Sequence, residues 1–123
     1  MSLRFREARR DDVPRLVEML ADDELGAQRE RFENPLPDSY YEAFATIETD
    51  PNNEIVIAES EGAIASFLQL TYIPNLTHQG SWRAMVEGVR VDSAQRGAGI
   101  GQQLIQEAIR RATERGAHLI QLT

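Results

Sequence analysis

The stretch Val89-Arg90-Val91-Asp92-Ser93-Ala94-Gln95-Arg96-Gly97-Ala98-Gly99-Ile100-Gly101-Gln102 decides the fold. Its first residues read as the end of a β-strand. Further on, Leu104, Ile105, Ala108, Ile109 and Ala112 mark one face of a helix that Gly116 ends. Between strand and helix lie three alternating glycines behind an arginine. A strand that runs through such a loop into a helix presents unpaired N–H groups and the positive end of the helix dipole. Glycine leaves no Cβ between that backbone and a ligand. The pattern predicts a phosphate site, to which Arg96 adds a mobile positive charge.

What the loop lacks narrows the choice of phosphate. A P-loop requires Gly-Lys-Ser/Thr at the start of the helix, but Gly101 is followed by Gln102-Gln103 and all 13 basic residues are arginines. A dinucleotide fingerprint requires its third glycine at position 102, which is Gln. With neither Lys nor Cys in the chain, Schiff-base lysines, thiol nucleophiles, CxxC redox pairs and Cys-zinc sites are excluded as well. No metal is expected.

Charge and hydropathy bound the partners. A net charge of −7 argues against nucleic acid and anionic membranes, because neither would be neutralised. Residues 1–62 carry 16 acids against 7 arginines, whereas residues 63–123 carry 4 acids against 6, so the first half suits a cationic partner and the second an anionic one. No apolar run approaches the ~20 residues of a membrane span and the first residues carry no signal-peptide core, which makes a cytoplasmic location the expectation. A length of 123 residues predicts one domain over 1–123.

Outward from the loop, Ser81 to Val91 reads as a long strand, with Met85, Glu87, Val89 and Val91 on one side and Trp82, Ala84, Val86 and Gly88 on the other. Gly88 in mid-strand signals a bulge or a close approach. Ala63 to Ile73 is a second long strand, joined through Glu61-Gly62 to a buried strand at Ile55 to Ala58. The alternation of Leu3 to Ala8 predicts an opening strand. Val13, Leu16, Val17 and Leu20 then follow the N-cap candidates Asp11 and Asp12 as an amphipathic helix. Gly26 to Pro37 reads as irregular, Asp38-Ser39 cap a second helix with Tyr40, Phe44 and Ile47 on one face, and Leu119 to Leu122 is a last strand. The order β-α-α-β-β-β-α-β defines an α+β domain with a mixed, mostly antiparallel sheet.

Arg96-Gly97-Ala98-Gly99-Ile100-Gly101, taken with this element order, resembles the GNAT superfamily of N-acetyltransferases, whose signature is Gln/Arg-x-x-Gly-x-Gly/Ala. The resemblance implies a central sheet with helices on both faces. It also implies acetyl-CoA as co-substrate, with Val89 and Val91 bonding the pantetheine through their backbones. Arg96, Gly97, Ala98, Gly99, Ile100, Gly101 and Gln102 would cradle the pyrophosphate. The implied activity is direct transfer of the acetyl group to a primary amine of a small molecule or peptide; a non-catalytic acyl-CoA-binding or sensing module is the alternative. Similar proteins continue past the last strand into another helix and more strands, often with a Tyr general acid. Ending at Thr123 therefore leaves two expectations, a piece of a longer chain or a homodimer formed through the last strand.

An alkyl ammonium must lose a proton before it can attack a thioester, so a base is required. Glu87 is the candidate, two residues from Val89 and flanked by apolar positions. His78, in the loop at 76–80, and Tyr72, facing Trp82 across that loop in sequence, are candidates for contact with the acceptor. Of Tyr40 and Tyr41 the one off the core face is expected to line the pocket, which selects Tyr41. Trp82 reads as packing, and Asp22-Asp23-Glu24 as a solvated helix end.

Overall fold

The computed structural model describes residues 3–123. Strands β1 (Leu3–Glu7), β2 (Asn53–Ser60), β3 (Ala63–Pro74), β4 (Trp82–Val91) and β5 (Ala117–Leu122) form one sheet in the order β1-β2-β3-β4-β5. The first four are antiparallel, and β5 joins β4 in parallel. The hairpin between β2 and β3 turns on Glu61 and Gly62, both left-handed at φ 52° and 80°. A two-residue turn needs this pair of conformations to match the strand twist.

Helices α1 (Val13–Leu20), α2 (Glu24–Arg29) and α3 (Asp38–Thr49) precede β2, a single turn α4 (Thr77–Gly80) joins β3 to β4, and α5 (Ile100–Glu114) joins β4 to β5. On one face of the sheet, Leu16 and Met19 of α1 cluster with Ile57 and Phe67, while Val13 and Val17 cluster with Phe44 of α3. On the other face, Ile100, Leu104, Ala108 and Ala112 of α5 pack against Val56, Leu68, Leu70, Ala84 and Val86. Two of those four helix positions are alanines, so the helix can lie close to the sheet. Ile109, expected on the buried face, is 44% exposed because the buried stripe follows a spacing of four from Ile100.

Helix α2 lies in part within a segment expected to be irregular. Its six residues carry no apolar periodicity of their own; Asp23 caps it by accepting from the Gly26 N–H, and Gly26 is buried against the end of α1. A Cβ on Gly26 would overlap the Leu20 carbonyl oxygen. The Asp22-Asp23-Glu24 run is thus a helix start as much as a solvated end.

Strand β4 departs from simple alternation. Phe67 pairs with Arg90 and Gln69 with Glu87, so two residues of β3 span three of β4, and the extra residue falls at Gly88, whose φ is 65°. The bulge reverses the inside-outside pattern beyond it. Glu87 faces α1 and α3, while Val89 packs with the core under α5 and Val91 Cγ2 reaches Gly101 of α5. The expectation that Met85, Glu87, Val89 and Val91 share one side fails for this reason.

Candidate active site

The glycine loop leaves β4 through a 3-10 turn at Ser93–Gln95, anchored where Asp92 pairs with Arg15 of α1 at 3.1 Å. Gly97 and Gly99 have φ of 86° and 75°, and a Cβ at either would meet nothing within 4 Å; here glycine serves the left-handed backbone. Gly101 serves close approach, since its Cβ would lie 3.1 Å from Val91 Cγ2. Gln103 N–H bonds the Gly99 carbonyl at 3.1 Å and no side chain caps the helix. The N–H groups of Ile100, Gly101 and Gln102 therefore remain open toward the loop. Ala98 and Gln102 are exposed at its rim, and exposed Arg96 forms no hydrogen bond or ion pair with the other described residues.

Next to the loop, the parallel pairing of β4 with β5 runs from Trp82 to Val86, which pairs with Leu122 and whose carbonyl accepts from Thr123 N–H at 3.1 Å. Asp92 N–H bonds Ala65 O at 2.8 Å and Ser66 Oγ donates to Arg90 O at 2.7 Å, so Asp92 and Arg90 turn toward β3. By alternation Val89 and Val91 turn their backbone groups away from β3. There the Val89 carbonyl accepts from Arg90 Nη1 at 2.9 Å. Open N–H groups and an arginine without a partner among the described residues fit a pyrophosphate, and strand backbone turned away from β3 fits an amide-bearing arm.

On the opposite face a cavity of about 290 Å³ lies between α1, α3 and the sheet. Its walls include Val17, Tyr40, Ala43, Phe44, Ile47 and Phe67, and Gln69, Glu87 and Gly88 line its strand side. Glu87 is exposed and has no hydrogen-bond or ion-pair partner among the described residues. Gly88 lines the cavity and directly precedes Val89, so the cavity reaches the β4 backbone at the bulge.

The other candidates lie apart from this meeting point. Tyr72 is 3% exposed in the core under α5, its ring 3.9 Å from the Arg115 guanidinium carbon. Burial pushes its hydroxyl up to about 12. It is core rather than acceptor wall. His78, in the left-handed α4 turn at φ 51°, stands 5.5 Å from His118 of β5, which lies against the Trp82 carbonyl at the start of β4. Glu87 lies five residues along that strand, about 16 Å away. Tyr41 lines a separate hollow with Phe32 and Leu36, under the Arg10 guanidinium at 4.3 Å.

Tyr40, not Tyr41, lines the Glu87 cavity, because that cavity opens within the core face of α3 itself. The Tyr40 hydroxyl donates to Glu30 Oε1 at 2.7 Å and accepts from the Arg31 N–H at 3.0 Å. Burial raises the hydroxyl's pKa, and its hydrogen bond lowers that of Glu30. The shared face of Tyr40, Phe44 and Ile47 was the available signal in the sequence.

A mixed sheet whose parallel pair is joined through a glycine loop and a helix is the architecture of an acyltransferase. The model of the Acetyltransferase (GNAT) family matches residues 17–123, and the chain belongs to that family. Among solved structures, it is similar to a transcriptional regulator from Bacillus halodurans C-125 at 56% identity and TM-score 0.95, covering 99% of this chain and 81% of that one. Glucosamine-6-phosphate N-acetyltransferase from Arabidopsis thaliana shares the fold at 19% identity and TM-score 0.79, covering 100% and 82%. An aminoglycoside acetyltransferase from an uncultured soil metagenomic sample does so at 21% and 0.73, covering 98% and 76%. No curated protein matches the sequence. Among the described residues no helix is long and apolar enough to cross a membrane.

Proposed function

We propose that the chain transfers the acetyl group of acetyl-CoA to a primary amine by direct attack, with Glu87 as the base. The observation that carries this reading is the bulge at Gly88, which sets an exposed, unpartnered carboxylate at an apolar cavity beside the backbone groups of Val89 and Val91 that point away from β3. Acetyl-CoA supplies the thioester. The loop N–H groups from Ile100 to Gln102, with Arg96, hold its pyrophosphate, and the outward backbone groups of Val89 and Val91 hold its arm.

The amine reaches Glu87 as an ammonium and gives one proton to the carboxylate. Its lone pair then forms the C–N bond at the thioester carbonyl. As the C–S bond breaks, the sulfur leaves with the electron pair and takes up the second amine proton, which gives the thiol of CoA and a neutral amide. The chain has no cysteine, which agrees with transfer without a thioester intermediate on the enzyme.

Calorimetric titration with acetyl-CoA, followed by thiol release with a panel of amines, tests the proposal. Binding with amine-dependent release is expected. Binding without release from any amine would favour the acyl-CoA-binding alternative, and no binding would overturn both.

A further inference from the structure

We infer that the acceptor is a hydrophobic monoamine, an alkyl or aryl-alkyl chain ending in one primary amine, whose apolar body fills the cavity between α1 and α3. This rests on the acetyl-transfer reading and names its substrate class. The cavity's volume of about 290 Å³ stands at the lower end of the roughly 300–1,000 Å³ of small-molecule pockets, so a compact body fits and an oligosaccharide does not. Its walls are aliphatic side chains and the rings of Phe44, Phe67 and Tyr40.

Polar groups decide against a sugar. Among the described residues only Gln69, Glu87 and Tyr40 bring polar side-chain atoms to the lining; the Tyr40 hydroxyl is already held by Glu30 and Arg31, and Gln69 Nε2 donates to Asn53 Oδ1 at 3.2 Å. Sugar hydroxyls entering here would give up water without replacement, a cost an alkyl or aryl body does not incur.

Charge decides against a polyamine. Among the described residues Glu87 is the one carboxylate in the lining and has no partner, which matches one ammonium. Of the acids flanking α2, Glu30 accepts from Tyr40 and pairs with Arg29 at 3.0 Å, while Asp23 caps the helix and lies 3.7 Å from Arg90 Nε. A second or third ammonium would find no free carboxylate in the cavity. The acid excess of residues 1–62 thus does not translate into a polycationic site.

The test measures kcat/KM for acetylation of phenethylamine, benzylamine, spermidine and glucosamine 6-phosphate. Alongside, it titrates phenethylamine calorimetrically into the CoA-loaded chain and into an Ala43→Trp variant. Ala43 lines the cavity from an exposed position of α3, so the larger side chain fills the space without entering the core. Phenethylamine is expected to exceed benzylamine, one methylene shorter, by roughly 10-fold, and spermidine and the amino sugar by more. Ala43→Trp should abolish phenethylamine binding while leaving CoA binding unchanged.

Turnover confined to spermidine or the amino sugar overturns the inference and leaves acetyl transfer standing. Should no amine be acetylated, acetyl transfer fails. Saturable phenethylamine binding lost in Ala43→Trp then still supports the cavity's ligand class, and no such binding overturns it.

Discussion

Glu87 and Val89 stand two residues apart on β4 yet face opposite sides of the sheet, Glu87 into the cavity under α1 and α3 and Val89 onto the core beneath α5. In a regular strand they would share a face. The extra residue at Gly88 separates them, and so places the proposed base on one side of the sheet and turns the side chain of Val89, whose backbone is proposed to hold the acyl-CoA arm, to the other. Much of the site's logic is in that single left-handed glycine.

Gly88→Ala should accordingly affect catalysis more than folding. A Cβ at Gly88 meets nothing within 4 Å, so the cost is the left-handed conformation itself, about 1–2 kcal/mol. Thermal melting should show that modest loss. Thiol release should fall much further, because any relaxation of the bulge turns Glu87 or Val89 away from its compartment.

For Gly99→Val the expectation is loss of CoA binding with the fold retained. The residue's φ of 75° is unsuited to a β-branched side chain, and the open space a Cβ would enter is the proposed phosphate path. Calorimetry with CoA reads the loss, and circular dichroism reads the fold.

Tyr72→Phe should raise stability. The Tyr72 hydroxyl is buried without a hydrogen-bond partner, and relieving such a group is worth about 1 kcal/mol or more. Acetylation rates should not change, since the residue lies in the core below α5 and away from Glu87. Denaturant melts and a rate assay on the same variant check both halves.

Asp12 carries a pH signature. Arg6 donates to both of its carboxylate oxygens, at 2.8 and 2.9 Å, and these bonds are the chief cause that holds its pKa below the ordinary value. A carboxyl whose pKa is lower folded than unfolded stabilises the fold fully above about pH 4 and loses that contribution as pH falls through the folded value. Asp12→Asn should cost about 1.5–3 kcal/mol at neutral pH, with the difference from the parent shrinking below about pH 4 in urea melts.

The sequence made the loop from Arg96 to Gln102, the Glu61-Gly62 turn and the lengths of β3 and β4 legible, because each rests on local chemistry: glycine conformations, alternation and turn residues. The bulge was flagged by Gly88, but its effect on facing was not. A one-residue slip is invisible to a period-two pattern until the register with β3 is known. Helix α2 was missed because six residues around a glycine have little helical signal, and contact with the end of α1 holds them. Tyr40 was passed over for Tyr41 on the assumption that a core-facing side chain cannot line a pocket. Incomplete closure between α1 and α3 leaves the cavity inside that face, which only the packing reveals.

The most direct test of the account is the pH-rate profile of Glu87→Gln beside its affinity for acetyl-CoA. The substitution removes the proposed proton acceptor and leaves the loop and the backbone of β4 untouched. The account predicts a rate lower by roughly 10²–10⁴-fold, loss of the acidic limb of the profile, and acetyl-CoA affinity equal to the parent's. A variant that keeps the parent's rate and profile would contradict it.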